Sequence, residues 1–303
     1  MDRREFIRNS FHASLATAAL GGLPMIDLLA LPAAAATTPP LAVRKGSDVR
    51  QLVRTTIEAL GGMGQFVQPG EVVVVKPNIG WDRTAELAAN THPEVVKTLV
   101  ELCLDAGAKQ VRIFDRTAND PRRCYTQSGI RDAIDALSSD KVSLEYMDRR
   151  AYRDMIIQGG RAFQEWQFYQ PAIDADRYIN VPIAKHHSIS RLTLAMKNTM
   201  GVIGGNRGRM HTEIAESMAD INSVIHSDLT VIDATRILVR NGPQGGRLED
   251  VETRNTLIAS PDIVAADAYA ATMFGLKPTE VGTIVAGAQR GLGTMDLGAV
   301  RMV

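Results

Sequence analysis

Glu71-Val72-Val73-Val74-Val75-Lys76-Pro77-Asn78 decides the reading of this chain. Four consecutive valines behind a Pro69-Gly70 turn predict a strand buried on both faces, as in a parallel sheet; a strand with one wet face would alternate. The run closes on a lysine, a proline and an asparagine, so its polar groups collect at the C-terminal end. Downstream, Pro93 occupies a first helical position, where its missing N–H costs nothing. Val95, Val96, Leu99, Leu102, Cys103 and Ala106 follow at helical spacing up to a stop at Gly107. Val111 to Asp115 is the next strand. Strand, helix and strand with short connections form a right-handed βαβ unit.

The same grammar extends in both directions. Upstream, Val49 to Leu60 has helical spacing and closes on Gly61-Gly62, behind a Thr-Pro-rich leader at Thr37 to Pro40. Downstream come a weaker helix (Thr126 to Leu137) and a strand (Val142 to Tyr146). The second half reads as a strand at Arg177 to Val181, a helix at Ile189 to Met200, and strands at Leu229 to Ile232 and Thr256 to Ile258. A helix capped by Ser260, with Pro261 as its first residue, then runs to about Gly275. The expected fold is α/β, a mostly parallel sheet of βαβ units covered by helices. Residues 37–303 make one such domain, or two intimate halves at about 41–150 and 151–303.

The N-terminal segment reads differently. Asp2-Arg3-Arg4-Glu5-Phe6-Ile7-Arg8 resembles the twin-arginine signal pattern, paired arginines followed by a phenylalanine and an aliphatic residue. Phe11 to Leu31 is apolar but broken by Gly21, Gly22, Pro24 and Asp27, which makes a poor membrane span. Ala33 to Ala36 supplies the small residues of a cleavage site. Motif, apolar stretch and cleavage site occur in the order of a removable Tat-type signal over residues 1–36, ahead of an ordinary secretory signal or an anchor. The expectation is a partner in the twin-arginine translocation machinery, a periplasmic or otherwise extracytoplasmic destination, and no membrane span in the mature protein.

Composition narrows the partners. Lys plus Arg and Asp plus Glu stand at 34 each, and the signal segment removes three of each sign, so the remainder is neutral. Binding to nucleic acid draws on a basic excess or stripe that is missing here, and 5% aromatic residues supply no stacking platform. The two cysteines, Cys103 and Cys124, fit neither a metal knuckle nor a redox pair, so no cysteine-ligated iron–sulfur cluster is expected. Cys103 falls on an apolar helix face and reads as a core residue; an oxidising compartment would also permit a bridge to Cys124.

In an open α/β sheet, ligands bind where strands end, so the polar residues after each strand are the candidates. Lys76 and Asn78 follow the valine run. Lys185, His186 and His187 follow the Arg177 strand; adjacent histidines diverge, so one of them as a metal ligand is easier than both, and either can serve as acid or base. Lys197-Asn198-Thr199-Met200-Gly201 runs on through Gly204, Gly205, Arg207 and Gly208 to His211, where backbone N–H groups and guanidinium forks can converge on an anion. Asp233 follows the Leu229 strand, and Asp267 stands alone in an alanine-rich helix. No Walker loop, dinucleotide fingerprint, GxSxG elbow or HExxH helix occurs.

These segments, in this order, resemble the family named domain of unknown function 362 (DUF362). The likeness rests on Val72 to Asn78, Pro93-Glu94-Val95-Val96, Ala106-Gly107-Ala108, Asn180-Val181-Pro182 with Lys185 and His187, Lys197 to Gly201, Gly242-Pro243, and Ser260 to Asp267. Some members carry an added ferredoxin-like segment; this chain has none. The resemblance implies the fold and a shared pocket without implying a reaction. The leading functional expectation is an exported enzyme, or enzyme-like protein, binding a small anionic ligand or a metal-bound cofactor. Lys76, Asn78, Lys185, Lys197, Asn198, Arg207, Asp233 and Asp267 would hold the ligand. His187, His211 and Lys76 would carry the chemistry, and His186, His187 and His211 are the candidate ligands of a metal ion. The alternative is a non-catalytic cofactor or metal carrier, or an accessory for maturing an exported redox enzyme.

Overall fold

The computed structural model describes residues 38–303; the signal expected over residues 1–36 lies outside them. In chain order the elements are β1 (Pro40–Lys45), α1 (Val49–Ala59), β2 (Val72–Pro77), α2 (Pro93–Asp105), β3 (Gln110–Ile113), α3 (Pro121–Gln127), α4 (Ile130–Asp135) and β4 (Val142–Leu144). Then follow β5 (Tyr152–Ile156), β6 (Glu165–Tyr169), α5 (Gln170–Asp174), β7 (Arg177–Val181), β8 (Ile183–His187), β9 (Arg191–Thr193), α6 (Ala195–Asn198) and α7 (Ile214–Val224). β10 (Leu229–Leu238), β11 (Val251–Ser260), α8 (Ile263–Thr272), α9 (Gly282–Gln289) and β12 (Arg301–Met302) complete the chain.

The strands form one mixed, mostly parallel sheet in the order β12-β1-β11-β10-β7-β2-β3-β4, with β8 added to β10 and β9 to β8; β5 and β6 form a separate hairpin. The valine strand β2 is parallel to both neighbours, β3 and β7, and its buried valines divide between two cores. Val73 and Val75 pack with Leu52, Val53 and Ile57 of α1 and Val95, Val96 and Leu99 of α2. Val74 faces the opposite way, into the core of Met196, Met218, Ile221 and Val264 from α6, α7 and α8. Helices on both faces are what an unbroken apolar strand requires.

Local chemistry sets the helix ends. Asp48 caps α1 by accepting from the Gln51 N–H at 3.0 Å, and His92 Nδ1 caps α2 by accepting from the Glu94 N–H at 3.1 Å. The helix expected over Thr126 to Leu137 is divided into α3 and α4 by Gly129, whose φ of +74° is left-handed. The helix expected to begin at Pro261 starts two residues later, because Asp262, not Ser260, is its cap, accepting from the Ala265 N–H at 2.8 Å.

The helix expected over Ile189 to Met200 is corrected. That segment is the turn of a β8–β9 hairpin, with Lys185 paired to Thr193 and His187 to Arg191, followed by the four residues of α6 and a 3-10 turn at Thr199–Val202. Arg191 takes φ +64° there, and the His187 imidazole accepts the turn's N–H groups, so local side-chain bonding overrides the helical spacing. β1, β5, β6, β8, β9 and β12 carry no strand expectation from sequence.

Candidate functional site

From β2 the chain winds outward to β3 and β4, then returns to place β7 on the other side of β2. The crevice above the C-terminal ends of β2 and β7 is therefore where the winding reverses, the usual ligand position in such sheets. Lys76 and Asn180 stand opposite one another in that register. Side chains alternate along β2, so Lys76 leaves on the face of Val74, toward α6.

The Lys76 ammonium is fully buried. It donates to the Asn198 carbonyl at 2.7 Å and to Asn198 Oδ1 at 2.9 Å, and it lies 2.9 Å from Asp115 Oδ1. The Lys76–Asp115 approach is a close charge contact, off the line of a well-aligned hydrogen bond. Asp115 follows β3 and is pinned by the Ile79 N–H, which donates to its other oxygen at 2.6 Å. Burial pulls the Lys76 pKa below its ordinary value, with Asp115 opposing. Asn198 is the hub: its Nδ2 donates to Asn180 Oδ1 at 2.8 Å, and its Oδ1 accepts from Asn78 Nδ2 at 3.0 Å.

Two devices hold Asn198 there. Asp267 of α8 lies beneath α6 and accepts from the N–H groups of Ala195 (2.7 Å) and Met196 (3.0 Å), while burial raises its pKa to about 7. Gly201 lets its backbone pass directly over the Lys76–Asp115 pair; a Cβ there would fall on Asp115 Oδ1 and Lys76 Nζ. Its carbonyl accepts from the Arg116 N–H at 2.9 Å, tying the loop after β3 to this turn.

Around this base stand further cations. Lys185 donates to Asn78 Oδ1 at 3.1 Å and to the Ala89 carbonyl; burial, opposed by Asp115, brings its pKa down to about 7. Lys197 lies against the Met200 thioether, and burial, with Arg207 and Lys76 adding to it, lowers its pKa to about 7. Arg207 donates to the carbonyls of Arg116 (2.8 Å) and Thr117 (2.9 Å). His187 Nδ1 accepts from the Ile189 and Ser190 N–H groups at 3.1 and 3.3 Å. Burial first, and then the neighbouring Lys197 ammonium, hold its pKa at about 3. The imidazole is thus neutral, and that bonding assigns its proton to Nε2. The His211 ring stacks at 6.0 Å and 19° from the His187 ring, its pKa also lowered by burial.

These groups line one cavity of about 380 Å³. Lys76, Arg116, Lys185, Lys197 and Arg207 line it, and Asp115 is the one carboxylate among the lining residues. Three expected site residues lie elsewhere. His186 Nδ1 accepts from the Gly242 N–H at 3.1 Å and borders a separate cavity. Asp233 accepts from the His92 N–H at 2.8 Å at the start of α2, and from Thr235. Asp267 is committed beneath α6. Among the described residues, no group of three His, Cys, Asp or Glu side chains is placed to hold a metal ion, because His186 diverges from His187 and His211. Asp115 and Arg116 are the site residues that sequence reasoning missed; the strand-end rule that selects Lys76 and Asp233 also selects Asp115 after β3.

The geometry defines an α/β protein with a cationic pocket at the reversal point of its sheet. Within that class the chain belongs to the DUF362 family, "Domain of unknown function (DUF362)", whose model matches residues 73–272, from β2 through α8. It is 29% identical over 248 residues to a thylakoid-associated protein of Synechocystis sp., covering 79% of this chain and 74% of the relative. In fold it is similar to the lactate racemase apoprotein of Thermoanaerobacterium thermosaccharolyticum, with a TM-score of 0.50 and 9% identity over 77% of this chain. The match spans 56% of that longer chain, so the likeness is one of fold alone.

Proposed function

We propose that this protein is an exported enzyme that binds a small carboxylate or phosphate in the Lys76–Lys197–Arg207 cavity. The observation that carries the reading is the excess of buried cations over a single carboxylate around 380 Å³ of space. Burying a cation without a counter-charge is costly, and an anionic ligand would supply the missing charge. His187, neutral and presenting Nε2–H, would donate to a ligand oxygen, and His211 is the better placed of the two to exchange a proton. The family and the fold likeness to an apoprotein whose name makes its substrate a small carboxylate fit a cofactor-related role. That likeness also favours the second reading, a non-catalytic cofactor carrier. A stoichiometric complex with another exported protein, and no turnover, would select it.

Calorimetric titration with lactate, phosphate and the uncharged lactamide tests the binding proposal. Lactate or phosphate should bind, lactamide should not, and Arg207→Leu should weaken the anions by about tenfold or more. Equal binding of lactate and lactamide would sink it. Export is tested by replacing Arg3 and Arg4 with lysine: precursor should accumulate inside the cell, and undisturbed export would remove the twin-arginine route.

A further inference from the structure

The three buried lysines differ in what meets their nitrogens. Lys76 has Asp115 at 2.9 Å and two oxygens of Asn198, and Lys185 has the Asn78 and Ala89 oxygens. The Lys197 nitrogen meets only the Met200 thioether, and among the described residues no carboxylate forms an ion pair with it. A thioether is a weak acceptor and does little for an ammonium. The charged groups that act on Lys197 are Arg207 and Lys76, both cations, whereas Asp115 supports Lys76 and Lys185. Lys197 is also the most open of the three to the cavity, retaining 8% of its surface against 0% and 1%. A desolvated lysine among cations, facing a cavity, is the environment that turns an ammonium into a free amine.

We propose that Lys197 is a nucleophile that forms an imine with the carbonyl carbon of a 2-oxo acid held in this cavity, an inference that rests on the anion-binding reading above. Arg207, which after burial itself opposes a charge on that amine, is also a group suited to a carboxylate. An acid whose carbonyl is bonded directly to its carboxyl carbon brings the electrophile beside the amine. The His187 Nε2–H polarises the carbonyl oxygen. The amine lone pair adds to the carbonyl carbon, a C–N bond forms, and the π electrons pass to oxygen. The two amine hydrogens leave with that oxygen as water, and the product is a C=N bond. Amine and ketone thus give imine and water, with nothing oxidised or reduced.

The test uses glyoxylate, the smallest 2-oxo acid, with the intact mature protein at pH 7, borohydride reduction and peptide mapping. The chain has eight lysines, so the map is short. The free-amine fraction at Lys197 should exceed that of an ordinary surface lysine by about a thousandfold, so the reduced adduct should sit on Lys197 at more than about ten times its level on Lys45, Lys109, Lys141 or Lys277. Lys197→Arg cannot form an imine and should lose the adduct, whereas Lys109→Arg, at an exposed lysine outside the cavity, should leave it unchanged. Glyoxylate bound by the unaltered protein with no adduct on Lys197 overturns the nucleophile and leaves the anion site standing. No calorimetric binding, with adducts spread over the exposed lysines, overturns both.

Discussion

Gly201→Ala tests whether the site is built around the buried pair. The added methyl group would clash with both Asp115 Oδ1 and Lys76 Nζ, and neither can step aside cheaply. Asp115 is pinned by the Ile79 N–H at 2.6 Å, and Lys76 is fully buried with both oxygens of Asn198 on its nitrogen. If the backbone absorbs the clash, overpacking costs about 1–3 kcal/mol; if the ion pair parts, the cost rises to about 3–5 kcal/mol. Gly→Ala gains less than about 1 kcal/mol through the unfolded chain, so the net sign is destabilising. The control is Gly64→Ala, where a Cβ meets nothing within 4 Å. Urea unfolding should show the large loss only for Gly201→Ala, and titration with phosphate should show lost affinity. Stability within about 0.5 kcal/mol of the Gly64 variant, with unchanged phosphate affinity, would refute this picture of the site.

Lys76→Met should destabilise by about 3–5 kcal/mol, since it leaves Asp115 buried without its cation, and Lys76→Met combined with Asp115→Leu should recover much of that loss in urea unfolding while phosphate binding stays lost. Lys185 and Lys197 titrate near 7 in the folded chain against an ordinary 10.5, so the unfolded chain binds more protons between those values and stability rises with pH across that window. Each should contribute roughly 2 kcal/mol between pH 7 and 9, and Lys197→Met should remove its share from urea unfolding measured at the two pH values. Cys103 and Cys124 are both buried free thiols whose pKa values burial raises, Cys124 to about 11. Native protein should therefore resist a thiol reagent, and a reductant should leave the unfolding midpoint unchanged.

The legible part of the fold is the part whose burial is symmetric or whose helix ends are local. The valines of β2 announce two covering layers by themselves, and the Pro93 start and Gly107 stop of α2 are backbone chemistry that no neighbour alters. The Ile189 to Met200 segment misleads because its apolar residues Ile189, Leu192, Met196 and Met200 also satisfy a helical spacing. What decides it is a partner strand beside it and an imidazole that takes up the turn's N–H groups, and neither lies in the window being read. Strand β1, next to the β12 edge, is invisible for a related reason: it pairs with β11, more than 200 residues later.

The candidate site is legible in its lysines, which the strand-end rule and the family resemblance gather around one ligand, but not in its local balance of charge. Lys76, Lys185 and Lys197 each sit at a place where strand or helix ends call for a polar group, and each alone reads as a solvated tip. The geometry of their convergence follows from β7 returning to the side of β2 away from β3. The balanced total of 34 charges of each sign then hides the local field. Asp228 and Glu71 are drawn off by Arg177, Glu145 by Arg112 and Asp220 by Arg290, while Asp115 is left with the cavity's five cations. Net charge governs solubility, whereas affinity for a ligand follows from which charges are desolvated together. A chain with no overall charge excess can therefore still bring cations together with too few carboxylates where its topology gathers them.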